Sequence, residues 1–142
     1  MHRRINDWQV ENVSQGGPPV SLASISQAIE ALVEVSKKDM GETLDFLHSR
    51  RGAIICTAGK GRSTLTFVPG YDQRNHSLVG SRNARSNSGG KKLYHVDGVG
   101  SVSAIPPDCL LSIVDVVLGL VYIFENHDFP AFLRWTGPAV QC

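Results

Sequence analysis

The chain has 142 residues, 42% of them hydrophobic, and a formal net charge of +1. That length buries about 70% of the unfolded surface, so a single domain over residues 1–142 builds its own core and needs neither a disulfide nor a metal staple. The near-neutral total speaks against a chain dedicated to nucleic acid, and 42% hydrophobic residues fit an ordinary globular interior.

The charge is nonetheless segregated. Residues 50–100 carry nine Lys and Arg against two acids, a net +7, while residues 1–49 and residues 101–142 each carry −3. A localised field of this kind steers an oppositely charged partner. Three cysteines, Cys56, Cys109 and Cys142, are odd in number and unevenly spaced, which argues against a disulfide framework and for a reducing compartment, with Cys142 as a free terminal thiol. The first nine residues, MHRRINDWQ, contain charge and no apolar stretch, so a signal peptide is not expected and the cytoplasm is the expected location.

Residues 5–13 read as a short edge strand, with Trp8 and Val10 two apart, followed by the turn-rich SQGGPP. Ser24 and Gln27 form a capping box, and Ile25, Ala28, Ile29, Leu32 and Val33 recur at helical spacing, so a helix is predicted to end near Lys37 and Lys38. Residues 40–48, with Leu44, Phe46 and Leu47, read as a second short helix. The β-rich runs AIICTA and STLTFV, separated by Gly59, Lys60 and Gly61, read as a hairpin. Strands are also expected near residues 77–81, 91–96 and 99–105, with the polar, Gly-rich RNARSNSGG as a long exposed connection and Pro106 and Pro107 ending the last strand.

The helix expected over residues 107–126 contains the run CLLSIVDVVLGLVYIF. Its 16 residues fall short of the about 17–25 of a membrane span, and Asp115 stands at its centre, so a core helix packed on the sheet is expected. Ser112, Asp115, Gly119, Tyr122 and Asn126 recur at steps of three and four and mark one small or polar face. Phe129, Phe132 and Trp135, in the closing FPAFLRW segment, read as core.

No catalytic, cofactor or metal site emerges. GKGRS, residues 59–63, lacks the adjacent Lys-Ser/Thr and the following helix of a phosphate-binding loop. His95, Asp97, Pro107 and Cys109 echo a zinc deaminase pattern, but Asp replaces Glu, Asp108 intervenes before Cys109, and Ser112 stands at the second cysteine position. His2, His48, His76 and His127 are isolated and read as surface or loop residues.

The order of parts does carry a signal. An N-terminal strand, a capped helix and a hairpin precede an SGG loop followed by Tyr94. A long helix entered through IPPD then leads to a last strand with Pro130 and Trp135. This order, over about residues 20–137, resembles the first Imm family of immunity proteins of bacterial polymorphic toxin systems, which often accompanies toxins of the double-stranded DNA deaminase type. The resemblance implies an α+β fold, an antiparallel sheet of about five to six strands flanked by an N-terminal helix and a long C-terminal helix. It also implies a non-catalytic, stoichiometric inhibitor that binds a cognate toxin, one to one, and occludes its active site.

Two surfaces offer contacts for such a partner. The basic arm, Arg74, Arg82, Asn83, Arg85, Lys91, Lys92 and Tyr94, presents guanidinium forks suited to carboxylates. The acidic set, Glu30, Glu34, Asp39, Glu42 and Asp45, imitates phosphates and suits the basic cleft of a nucleic-acid enzyme. The alternative reading is a nucleic-acid-binding module that uses the arm at residues 74–92, although the aromatics are not interleaved with its basic residues. A small enzyme assembled from scattered residues is a third class.

Overall fold

The computed structural model describes residues 5, 7–70, 77–79, 92–96 and 99–136. In chain order it contains β1 (Trp8–Asn12), β2 (Val20–Ser21), α1 (Ile25–Ser36), β3 (Glu42–His48), β4 (Gly52–Gly59), β5 (Arg62–Ser63), β6 (Thr66–Pro69) and β7 (Ser77–Val79). There follow β8 (Leu93–Val96), β9 (Val102–Ile105), a 3-10 turn (Pro107–Cys109), β10 (Leu111–Ser112), α2 (Ile113–Asn126) and β11 (Trp135–Thr136). The main sheet runs β11-β7-β6-β4-β3-β1-β2, with β5 pairing both β4 and β10, and β8 and β9 make a separate two-stranded ribbon. Every strand pair among the described residues is antiparallel. The fold is α+β as expected, with β1 one place in from an edge formed by the two-residue β2.

Alternation puts one face of the sheet into the core. Trp8, Leu44, Phe46, Ile54, Cys56, Ala58 and Phe67 pack with Ile25, Ala28, Leu32 and Val35 of α1 and with Val116, Leu120, Ile123 and Phe124 of α2. Both helices therefore lie on the same face. Phe124 is the aromatic keystone, meeting Trp8 edge-on at 5.0 Å and Phe46 at 5.8 Å.

Residues 42–48 form β3, not the short helix expected over 40–48. Leu44 and Phe46 are buried while Thr43, Asp45 and Leu47 are only partly so, a period of two that a strand supplies and a helix does not. The segment pairs β4 along its whole length, from Glu42↔Ala58 to His48↔Gly52. His48 is not a surface residue either. Its side chain is 11% exposed, its ring packs on Trp8, and its Nδ1 accepts from the amides of Arg50 and Arg51 at 2.9 Å each.

The hairpin at residues 59–61 is present, and its turn resembles type I′, with φ of 52° at Lys60 and 76° at Gly61. β5 and β6 keep one register against β4. Between them the Thr64 hydroxyl, in place of a backbone carbonyl, accepts from the Thr57 amide at 2.9 Å. The turn also docks on both helices. Lys60 N donates to Lys38 O and Gly61 N to Ser36 O, each at 2.8 Å, while Gly61 O accepts from Ile113 N at 3.0 Å.

Helix α1 starts where Ser24 caps it, its Oγ accepting from Gln27 N at 3.2 Å. Gln27 reaches back one residue further than a standard capping box, to Ala23 N at 2.6 Å. Helix α2 begins at Ile113, later than the expected residue 107, because Leu111 and Ser112 first extend to pair Ser63 and Arg62. Ser112 then caps it through Asp115 N at 3.3 Å. The expected small or polar face does not hold together. Gly119 is buried, and a methyl group there would lie 2.8 Å from Leu65 Cδ2 and 3.0 Å from Leu133 Cδ1. Phe129 is wedged between Phe67 at 4.9 Å and Trp135 at 4.7 Å, as a core residue should be. Phe132 is 38% exposed, contrary to expectation, and its ring meets the partly exposed Tyr122 edge-on.

The cysteine reading also changes. Cys109 is disulfide-bonded, since an odd count still allows one pair beside one free thiol. Cys56 is the free, buried cysteine, and Cys142, expected as a free thiol, lies outside the described residues. Burial pushes the Cys56 thiol up to about 12 against a smaller opposing hydrogen bond involving Ser63, which makes it a packing group.

Phe124→Ala is expected to cost about 3–5 kcal/mol in urea unfolding, because the cavity opens between Trp8 and Phe46. A loss below about 1 kcal/mol would contradict the central role of this ring.

Candidate partner-binding surfaces

Of the basic arm, Lys92 and Tyr94 fall within the described residues, whereas Arg74, Arg82, Asn83, Arg85 and Lys91 lie outside them. Lys92 is exposed, and its carbonyl accepts a long 3.5 Å contact from Arg62 Nη2. The base of the β8–β9 ribbon is anchored by Leu93 and Ile105, which bury against Cys109 and Leu110 in a second small core. Gly41 fixes the ribbon to the main body. Its amide donates to Tyr94 O at 2.7 Å, and it forms a parallel bridge with His95. A methyl group at Gly41 would lie 2.9 Å from His95 Cβ and 3.2 Å from Leu93 Cδ2, so the ribbon seats this closely only on a residue without a side chain.

Because Leu93 points inward, Tyr94 points outward. It pairs Ala104 across the ribbon, and Val102 lies diagonally beside it. Tyr94 is 52% and Val102 60% exposed, and Val99 is almost fully exposed. The result is an aromatic and aliphatic outer face bordered by the Lys92 cation. Tyr94 was legible in the sequence through the SGG loop before it. Val99 and Val102 were not singled out, although residues 99–105 were expected to form a strand.

The acidic set does not share one surface. Glu30 and Glu34 are exposed on α1, and Asp39 is exposed in the loop that follows. Glu42 is already occupied. It accepts from Lys38 Nζ at 2.8 Å, Asn12 Nδ2 at 3.0 Å and Gln15 Nε2 at 2.6 Å. Partial burial raises its pKa, but these partners together outweigh burial and hold the carboxyl below its ordinary value. Asp45 alternates with Leu44 and Phe46, so it faces away from both helices. There it stands directly opposite Glu11, and burial, with the Glu11 charge in second place, raises its pKa. Glu11 went unnoticed in the sequence because residues 40–48 were read as a helix, which hides the cross-strand register.

The residues of the zinc-like pattern come together only in part. His95 Nε2 is 3.0 Å from Ser103 Oγ, a serine–imidazole pair of the kind used in nucleophilic catalysis. The two are direct cross-strand partners, and His95 Nδ1 is buried with no hydrogen-bond partner among the described residues, where a triad places its orienting carboxylate. Cys109 is held in a disulfide and offers no thiolate. Among the described residues no three His, Cys, Asp or Glu side chains are grouped to hold a metal. Among the same residues, no helix is long and apolar enough to cross a membrane.

No family model matches this chain, and no curated protein does. The resemblance to the Imm family thus rests on the order of its motifs.

The two carboxylates titrate in opposite senses. Asp45 binds its proton more tightly in the folded state, so its ionisation lowers stability as pH rises from the unfolded value of 3.8 through the raised one. Glu42 contributes stability that is full above 4.5 and is lost as pH falls through its lowered value. Asp45→Asn is expected to stabilise the protein at pH 7 by up to about 1 kcal/mol, the scale of a like-charge cross-strand pair. Glu42→Gln is expected to destabilise it by about 1–2 kcal/mol, with a smaller effect at pH 3. Thermal unfolding across pH 3–8 checks both signs.

Proposed function

We infer that this protein is an immunity protein that binds a cognate bacterial toxin, of the secreted deaminase type, and occludes its active site one to one. The observation that carries the reading is the half-exposed ring of Tyr94, held on a fixed ribbon beside the Lys92 cation. Tyrosine combines a large apolar area with a polar tip and few torsions to order, which suits it to anchor an interface. Val102, diagonal to it across the ribbon and 60% exposed, extends the apolar area beside it. The net +7 of residues 50–100 in the sequence would speed encounter with an acidic patch on the toxin.

Inhibition by occupancy needs affinity and no chemistry. Nanomolar binding corresponds to about 12 kcal/mol, usually supplied by a few buried anchors inside roughly 1,600 Å² of interface. The reading therefore assigns the protein no cofactor and no catalytic residue. It places the protein in the cytoplasm, where a toxin that attacks nucleic acid does its damage. The disulfide at Cys109 removes the support that the cysteine count gave to a reducing compartment, so this location rests on where such a toxin acts.

The test is titration of the toxin domain encoded beside this chain. Inhibition complete near one equivalent is expected, with Tyr94→Ala weakening the complex by roughly 30-fold, the scale of a 2 kcal/mol anchor. Lys92→Glu should slow association and flatten its salt dependence, and Arg82→Glu with Arg85→Glu probes the part of the arm outside the described residues. Absence of a complex at moderate salt would refute the reading. Binding of DNA or RNA that collapses steeply with added salt would replace it with the nucleic-acid-binding alternative.

A further inference from the structure

Helix α2 exposes the wrong residues for a helix that meets only water. Val114 is 64% and Leu118 51% exposed, while Gly119 is turned into the core. Val114, Leu118 and Tyr122 follow one another at steps of four, so they form a single stripe along the helix. Phe132 extends it, meeting the Tyr122 ring edge-on at 6.4 Å. Scattered exposed apolar residues are ordinary, but a contiguous stripe marks a contact. The residues concerned differ from those of the β8–β9 ribbon.

The charges around the stripe define what covers it. Residues 101–142 hold four acids, Asp108, Asp115, Glu125 and Asp128, against Arg134 alone. Glu125 is exposed and lies seven residues beyond Leu118, on the same side of the helix. A second copy packed parallel to the first would bring Glu125 against its own counterpart, and one packed antiparallel would bring it toward the Asp108–Asp115 end of its neighbour, so acid meets acid either way. An anionic lipid surface would meet the same repulsion. A straight stripe on an α-helix is a ridge that fits the groove of another helix.

We propose that the Val114–Leu118–Tyr122–Phe132 stripe of α2 is a second docking surface, and that its occupant is an amphipathic helix of another protein carrying Lys or Arg beside its apolar face. Two synthetic peptides of equal length and identical apolar stripe, one flanked by Lys and Arg and the other by Glu, test it against the full chain by fluorescence anisotropy. The basic peptide should bind at least tenfold more tightly than the acidic one. Val114→Ser with Leu118→Ser should weaken it at least tenfold with no loss of thermal stability, and Glu125→Lys should narrow the preference between the peptides. Tyr94→Ala should leave both affinities unchanged, which separates this surface from the ribbon. Equal binding of the two peptides, or no binding of the basic one, overturns the proposal. So does a dimer, seen by sedimentation, that Leu118→Ser dissolves, since the occupant would then be a second copy.

Discussion

The turn at Lys60 and Gly61 is the joint on which the arrangement of layers depends. A helix leaves its last carbonyls and first amides without intrahelical partners, and here one two-residue turn serves both ends. The amides of Lys60 and Gly61 close the C-terminal end of α1, and the Gly61 carbonyl receives the first amide of α2. The tip of a sheet hairpin is thereby spliced between the two helices, so backbone bonds to the sheet as well as side-chain packing fix their spacing. This matters most for α2. Its β-branched residues and Gly119 give it low intrinsic propensity, and a helix of 14 residues is marginal alone. The Ser112 cap, the Gly61 carbonyl and the burial of Val116, Leu120, Ile123 and Phe124 hold it in place.

Much of this was legible where one local rule had no competitor. The Ser24 cap, the apolar face of α1 and the Gly59–Gly61 hairpin each follow from residue types whose backbone preferences are strong. Residues 40–48 were misread because Leu44, Phe46 and Leu47 fit a fragment of either period, and only pairing with β4 decides between them. That error spread to the acidic set, for Asp45 on a strand points away from Glu30 and Glu34, and its true neighbour Glu11 is 34 positions away in sequence. The small or polar face expected on α2 fails at Gly119, which was grouped with polar residues. Its size is what counts, since Leu65 and Leu133 approach there, and the larger Val114 and Leu118 are left outside.

The same geometry separates charge in the sequence from charge that a partner meets. Glu42 contributes to the −3 of the first 49 residues, yet Lys38, Asn12 and Gln15 already satisfy it. Asp45 and Glu11 stand opposite each other on the face of the sheet away from both helices, out of line with α1. What remains available is arranged by layers: cationic and aromatic groups at the ribbon, exposed acids along α1 with Glu34 close to Lys37, and apolar residues edged by acid along α2.

The bond from Gly41 to the Tyr94 carbonyl reaches beyond architecture. Association always loses entropy, and a contact loop that must first find its shape loses more. The peptide unit beside the Tyr94 ring is already tied to the body of the protein, and Ile105 secures the opposite strand in the second core. A molecule closing over that ring would have only its two side-chain torsions left to order here, so beyond the freedom that any association loses, little of the surface buried there would be offset by ordering this protein.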